Sequence, residues 1–423
     1  MSKQTYRSKK EQTILNIKDG VEVRDIPKHL AQKTLADCSD ENIRKLVEDS
    51  IREFACANIQ DGVSNKNFSL EDLHKVLSVD LIPKCQDHVN RKLQMDMMKW
   101  AYHIGVERLG FRGNFYIDKE IYLRINYPFE VASLGVKSSV TNPDHRLTKY
   151  NKGRPRATWG HGPHKDSWYG HSHSAINLWF SVCGTNEQAT MTMFPDHAYS
   201  DTAYDPESMY ASYSENLGKH VKLELSKGEN FIFDPELLHS TRVNTSNQTR
   251  IVLTLRTSES EPLFSSTINH DVYDQWLTSD SILEGKLNPK KVGKKVEIGD
   301  YPSTTTDVSH YKHKINQPIN FDSTKLNRDD FAVKDGVVFE LICSDKECLG
   351  LFFEGRLHRF SKYCPHVGAP MLGGYFTPES LTLKCPAHGA EFCLKDGSSG
   401  SKNLKLSTFN ESQSAKELDA EEK

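Results

Sequence analysis

Two short segments near the C-terminus, Cys364-Pro-His366 and Cys385-Pro-Ala-His388, constrain this chain more than any other feature. Each supplies one thiol and one imidazole, so the fold must bring two loops together around a shared group. A [2Fe-2S] cluster with two thiolates on one iron and two neutral imidazoles on the other takes such a set. Zinc also accepts two Cys and two His, but zinc fingers usually pair Cys with Cys and His with His within a segment. Gly368 and Gly389 follow the histidines where the loops must turn tightly, and Phe392 and Gly397 continue the second loop.

Both loops resemble the Rieske iron-sulfur family throughout. The resemblance implies a [2Fe-2S] cluster held by Cys364, His366, Cys385 and His388, in a small antiparallel β domain over residues 329–410. Rieske proteins of respiratory complexes carry an extra cysteine in each loop, and here Ala369 and Ala387 stand at those positions. The site is therefore similar to the ferredoxin and oxygenase type, with a potential toward the low end of roughly −150 to +300 mV. A center of that kind gives electrons readily.

At 423 residues the chain exceeds what one core usually holds, so two or three domains are expected. A net charge of −3 argues against a dedicated nucleic-acid surface, and the locally basic stretch from Lys286 to Lys295 reads as solvated linker. No apolar run approaches the roughly 20 residues of a membrane helix. The opening MSKQTYRSKKEQ lacks the apolar stretch of a secretory signal, so a cytoplasmic protein with no membrane partner is expected. The cysteines outside the cluster motif (Cys38, Cys56, Cys85, Cys183, Cys343, Cys348, Cys393) show no paired framework and read as reduced thiols.

The expected organisation is mainly β with N-terminal helices. Residues 1–108 read as a mostly helical segment: Ile43, Leu46, Val47, Ile51 and Phe54 recur at helical spacing, and Ser69 precedes Leu70, Leu73 and Val76 as an N-cap. A third helix runs from Gln86 through Leu93, Met97, Met98 and Ala101, with its Met residues and Trp100 as core. Over 109–260 short β-branched and aromatic runs alternate with turn residues, which predicts an antiparallel β domain. Residues 261–328 are rich in Ser, Thr, Asp, Lys and Pro and read as a connector, with one short helix near Tyr273 to Leu283. The last residues, 411–423, form an acidic tail.

Inside the β domain, His164-Lys-Asp166 places an imidazole and a carboxylate on one side of an extended segment, where one metal could take both. A chain with 18 histidines produces some such pairs by chance, and an exposed His/Asp pair is the competing reading. Downstream, an apolar strand and a turn lead to His239, which completes the 2-His-1-carboxylate set of non-heme Fe(II) oxygenases. Arg250 then opens an alternating strand on which Val252, Thr254 and Arg256 share its face. A cation buried in a barrel needs an anion, and a planar guanidinium suits a carboxylate.

This region resembles the phytanoyl-CoA dioxygenase-like Fe(II)/2-oxoglutarate oxygenases, whose His-x-Asp, distal His and following Arg match His164, Asp166, His239 and Arg250. The resemblance implies a double-stranded β-helix, or jelly roll, with ferrous iron on the triad and Arg250 on the far carboxylate of 2-oxoglutarate. Related halogenases resemble this site with a small residue in place of the Asp, so an intact Asp166 favours hydroxylation or desaturation. Asn177 and Trp179 share a strand face and are candidates for the 2-oxoglutarate pocket, and Thr241 for a hydrogen bond to the cosubstrate; Trp179 fits core packing equally well. Trp168 and Tyr169 follow the first ligands, and Arg124 and Tyr122 alternate on an earlier strand that the family places beside the site. His161, His171 and His173 read either as tuning or substrate contacts or as surface histidines. The polar, basic loop from Asn142 to Gly160 reads as a lid or as a mobile loop.

Keto-acid chemistry already provides two electrons, so the Rieske unit needs a role. The expectation is an oxygenase that couples 2-oxoglutarate decarboxylation and O2 to C–H hydroxylation of a small polar, sugar-like or secondary-metabolite substrate, with the cluster supplying electrons to the mononuclear iron. A ferredoxin or reductase is the expected donor, and an oligomer is left open. Two alternatives stand beside it: a reductase-fed Rieske-type oxygenase that does not use 2-oxoglutarate, and a non-enzymatic redox carrier or sensor.

Overall fold

The computed structural model describes residues 3–58, 68–132, 162–204, 211, 220–266, 274–296, 335–336, 338–343, 346–365, 371, 374–385, 390–400, 402 and 404–409. Its N-terminal part holds α1 (Lys3–Leu15), β1 (Gly20–Glu22), β2 (Ala31–Thr34), α2 (Cys38–Ala57) and α3 (Ile82–His103). Asp37 starts α2 through a reciprocal capping box with Asp40, which satisfies two otherwise orphaned amides. Ile43, Val47, Ile51 and Ala55 face the core at helical spacing, whereas Leu46 is exposed. Ser69 precedes a 3-10 turn, Leu70–Lys75, without a side-chain cap bond. α3 begins before Gln86, with Pro83 in its first turn, and buries Leu93, Met97, Met98 and Trp100. A π-helical turn, Ile104–Arg108, follows it, and Gly105 there lies so close to Phe115 that a Cβ would come within 2.6 Å of the ring.

The β domain is built from β3 (Tyr116–Asp118), β4 (Tyr122–Asn126), the short α4 (Phe129–Ala132), β5 (Ile176–Ser181), β6 (Met191–Phe194), β7 (Val221–Lys222), β8 (Asn230–Phe233), β9 (Leu238–Thr241) and β10 (Arg250–Ser258). β10 is the hub. It pairs antiparallel with β5 from Val252↔Ser181 to Thr257↔Ile176, and with β4 and β3 through Arg250↔Asn126 and Thr257↔Ile117. A smaller sheet ordered β7-β6-β9 faces the large one. Trp179, Met193, Phe231, Phe233, Leu237 and Val252 pack together in the same core cluster, which closes the jelly roll.

One expectation gains a strand and one needs correction. The N-terminal segment is mostly helical, and its β2 also pairs with β8 (Ala31↔Phe233) and so extends the large sheet. The stretch read as a connector contributes β11 (Leu263–Ser265), β12 (Gln275–Thr278), α5 (Ser279–Leu283), β13 (Lys290–Lys291) and β14 (Lys294–Val296). β12 pairs with β3 and β13 with β12, so the basic stretch forms a sheet edge. Residues 267–273 and 297–328 of that stretch, and the tail 411–423, lie outside the described residues.

The C-terminal unit holds β15 (Val338–Cys343), β16 (Lys346–Phe353), β17 (Arg356–Phe360), β18 (Tyr375–Thr377), β19 (Thr382–Lys384), β20 (Glu391–Cys393) and β21 (Thr408–Phe409). They form two small antiparallel sheets, β15-β16-β17-β21 and β18-β19-β20. Cys364 follows β17 and Cys385 directly follows β19, and both side chains are buried. Gly397 has φ +73°, and a Cβ there would fall 1.8 Å from the Leu406 carbonyl oxygen, so only glycine fits. The cluster of buried side chains around the two cysteines, including Met371, Leu383 and Phe392, continues into Phe129, Trp168, Leu238 and Val243 of the jelly roll. The chain is thus mainly β, a jelly roll with N-terminal helices beside a small antiparallel β unit. No helix among the described residues is long and apolar enough to cross a membrane.

A buried ion pair fastens α1 to this frame. Lys10 Nζ lies 2.7 Å from Asp234 Oδ1, with both side chains almost fully buried, and also donates to the His173 carbonyl at 2.8 Å. Tyr199 donates to the other Asp234 oxygen. Removing one partner of such a pair leaves a buried charge without its counter-ion. Lys10→Met is expected to lower the unfolding free energy by about 3–5 kcal/mol in chemical denaturation.

Candidate active site

His164 and His239 meet as an antiparallel bridge, with His164 N–H donating to His239 O at 2.9 Å and the reverse bond at 3.0 Å. His164-x-Asp166 therefore does not ride on a strand. One bridge residue is followed by a 3-10 turn, Asp166–Tyr169, whose first amide donates to Pro235 O at 3.1 Å. This turn swings the carboxylate back toward the histidines, and one ligand atom from each of His164, Asp166 and His239 lies within 4.8 Å of the others. Asp166 Oδ1 is 3.5 Å from His164 Nε2 and 3.7 Å from His239 Nε2.

The backbone sets the tautomers. His164 Nδ1 donates to Gly162 O at 2.7 Å and His239 Nδ1 to Leu237 O at 2.8 Å, so both Nε2 lone pairs face the gap. Burial and the nearby His164 push His239 down to about 4, which keeps its imidazole neutral as a metal ligand requires. The donor set fits a ferrous ion: two neutral imidazoles and one carboxylate on one side, with the cavity on the other.

Asp166 is held by groups that no local motif announces. Its Oδ2 accepts from Asn177 Nδ2 at 2.8 Å, Arg256 Nη2 at 2.9 Å and Arg256 Nε at 3.2 Å. Burial alone would raise the carboxyl, but Arg256, together with His164 and His171, outweighs it and holds Asp166 well below the usual carboxylate range. With Oδ2 saturated, Oδ1 is the oxygen left for the metal. Arg256 also faces Asp118 at 3.8 Å, whose carboxyl burial raises to about 6. The sequence places Arg256 on the face of Arg250 but names no partner for it. The available signal was a second arginine on a buried strand face, which demands a second anion.

Arg250, at the start of β10, is buried in the same cavity. Its Nη1 donates to Thr190 O at 3.3 Å, its guanidinium lies 5.5 Å from the Trp179 ring, and its Nε has no hydrogen-bond partner. Burial and the charge of Arg124 push its pKa down, so an incoming carboxylate would relieve it. Thr241, Trp179, Asn177, Tyr169, His171 and Arg124 all line this cavity. Burial and Arg256 keep His171 well below the usual imidazole range, and so neutral. Other candidates lie elsewhere. His173 turns away to Glu236 at 2.9 Å, and Trp168 stacks on Tyr204 with ring centroids 4.7 Å apart. Tyr122 lies under the Arg124 guanidinium at 5.8 Å. His161, the loop 142–160, and the cluster candidates His366 and His388 lie outside the described residues.

The two thiols expected to hold the cluster, Cys364 and Cys385, share one buried apolar cluster, as a [2Fe-2S] group shielded from water requires. At the triad, loss of a group that orients a metal ligand typically costs about 10–100-fold in metal affinity. Arg256→Lys, which keeps charge but cannot fork onto Asp166, is expected to weaken Co(II) binding about 10-fold, and Asn177→Ala by a similar factor, in absorbance titrations.

Comparison with known proteins places this geometry. Residues 128–252 match the family Phytanoyl-CoA dioxygenase (PhyH), and residues 325–405 match the Rieske [2Fe-2S] domain. A search of curated proteins returned no match. Among solved structures, the ferredoxin of carbazole 1,9a-dioxygenase from Nocardioides aromaticivorans IC177 is 24% identical over 18% of this chain and 77% of its own, with a TM-score of 0.18. The non-heme alpha ketoglutarate dependent carbocyclase SnoK from nogalamycin biosynthesis is 11% identical over 71% of this chain and 95% of its own, with a TM-score of 0.33. The epimerase SnoN, in complex with Fe3+ and alpha ketoglutarate, is 10% identical over 60% and 84%, with a TM-score of 0.32. Residues 128–252 thus match the Phytanoyl-CoA dioxygenase (PhyH) family and residues 325–405, further along the same chain, the Rieske [2Fe-2S] domain.

Proposed function

We propose that this chain is an Fe(II)/2-oxoglutarate-dependent dioxygenase that hydroxylates a C–H bond of a small polar substrate, with its Rieske [2Fe-2S] cluster supplying electrons to the mononuclear iron. The observation that carries the reading is one cavity that holds both the His164, Asp166, His239 triad and the buried Arg250 with an unpaired Nε. Ferrous iron bound with 2-oxoglutarate and O2 supplies decarboxylation to succinate and CO2 and the oxidation of a neighbouring C–H bond.

The protein's part is placement. His164 and His239 present fixed lone pairs, and Asp166 presents a single oxygen because Asn177 and Arg256 occupy the other. Three protein ligands leave positions for the cosubstrate and for O2. Arg250 pairs with the far carboxylate of 2-oxoglutarate, with Thr241 beside it and Trp179 and Phe233 as apolar walls that exclude water. His171, Tyr169 and Arg124 are left to face the substrate, which favours a polar, hydroxylated molecule over an apolar one. Hydrogen-bond donors on these residues set which C–H bond lies nearest the metal, the main source of selectivity in such a site. Cys364 and Cys385, with His366 and His388, would hold the cluster, which would supply electrons to an iron held at His164, Asp166 and His239.

Succinate and CO2 release from 2-oxoglutarate by iron-reconstituted protein, without any reductase, tests this reading. Arg250→Ala is expected to raise KM for 2-oxoglutarate by about 10–100-fold, as loss of a charge-assisted bond of roughly 1.5–3 kcal/mol implies. Cys364→Ser is expected to keep the first turnovers and lose the later ones. No release from the wild type with polar substrates present would instead favour a reductase-fed oxygenase or an electron carrier.

A further inference from the structure

The segment that bears the iron ligand also bears a contact to the Rieske unit. Leu238, immediately before His239 on β9, belongs to the buried cluster that contains Cys364 and Cys385. Just past the end of β9, Arg242 Nη2 lies 3.7 Å from Glu391 Oε1, and Glu391 is bound at 2.7 Å by Lys384. Glu391 opens β20, directly after the loop that ends at His388 and Gly389, while Lys384 immediately precedes Cys385. Each partner of the Arg242–Glu391 pair is thus three positions from a metal-ligand candidate: Arg242 from His239, and Glu391 from His388.

A second contact fixes the angle. The Lys402 amide donates to Glu130 on α4, and α4 is tied to the loop after β9 because Phe129 N–H donates to Asn244 O at 2.8 Å. Phe129 and Val243 belong to the same apolar cluster as the cluster thiols. Arg242 and Lys384 are largely buried here, with side-chain exposures of 11% and 16%, so their charges are committed to this interface. An apolar center with charged pairs at its edge is the arrangement that sets register between two surfaces.

We propose that the Rieske unit docks on, and serves, the iron site of its own chain, with the Arg242–Glu391 pair fixing the register between β9 and β20. The proposal rests on the reading that the cluster feeds the mononuclear iron, and it assigns the donor to the same polypeptide. As seated, this unit helps cover Trp168, Leu238 and Val243 of its own chain.

Two measurements on the full-length, metal-loaded protein test it. In the first, at 2-oxoglutarate held near the wild-type KM, Arg250→Ala chains, whose raised KM idles the iron site, are mixed with Cys364→Ser chains, with a crippled cluster, and sustained succinate release is followed; His366→Ser replaces Cys364→Ser if that variant does not fold. Delivery within one chain predicts that the mixture gives no more than the sum of its parts. Recovery toward half the wild-type rate would overturn the proposal. A cluster variant that sustains turnover like wild type would sink the electron-feeding reading itself, and the second measurement then decides the docking alone. There, amide hydrogen exchange is followed over Leu238–Arg242 and Thr382–Cys393. Arg242→Glu and Glu391→Arg are each expected to speed exchange in both segments about 10-fold or more, and the double swap to restore protection. Unchanged exchange in both single variants would overturn the docking register.

Discussion

The oxygenase site depends on how one buried carboxylate is divided. Asp166 gives one oxygen to three hydrogen bonds from Asn177 and Arg256 and leaves the other between two imidazoles. In a dry pocket an ion with a single partner is costly, and one whose remaining lone pairs are satisfied is tolerated. Arg256 accomplishes this from β10, the strand that also presents Arg250. The central strand therefore carries two cations on one face: Arg256 is paired with Asp166, and Arg250 keeps an Nε with no hydrogen-bond partner. That asymmetry distinguishes a structural charge pair from a binding group.

The same strand couples fold to site. β10 pairs with β5, which supplies Asn177 and Trp179, and with β4, which supplies Arg124. Cross-strand register thus sets the spacing between the residue that orients the metal ligand and those that line the cavity. A slip of one residue would turn Arg250 and Arg256 to the opposite face.

The short chemical motifs were legible because their meaning is local. Cys364-Pro-His366, Cys385-Pro-Ala-His388, His164-x-Asp166 and the place of His239 before an alternating strand need only a few neighbouring residues to be read. Partnerships across the sheet were not legible: Arg256 meets Asp166, and Lys10 meets Asp234, only after the strands assemble. Asn177 was read as lining the cosubstrate pocket, and it does line the cavity, but its amide is committed to Asp166. The 261–328 stretch reads as linker because its strands are short and polar-rich: β12 and β13 lie at one end of the large sheet and β11 and β14 form a separate parallel pair; exposed Lys290 and Lys291 on the outermost strand discourage edge-to-edge pairing. β1 and β2 escaped notice because Gly20–Glu22 and Ala31–Thr34 are too short to show a period, and β8 draws them into the sheet.

The ion pair beneath α1 bears on what counts as a module here. Asp234, which Lys10 neutralises, opens a loop whose Pro235 carbonyl receives the Asp166 amide and whose Glu236 binds His173. The first helix of the chain therefore props the backbone under the candidate metal ligands from a great distance in sequence. The stretch that carries the oxygenase family's signature, 128–252, contains the triad and Arg250 but lacks α1, β2 and Arg256. Cut out along those limits, it would keep His164, Asp166 and His239 and lose the contacts that hold them in place, so the stretch legible as a family in sequence is smaller than the packed unit around the site.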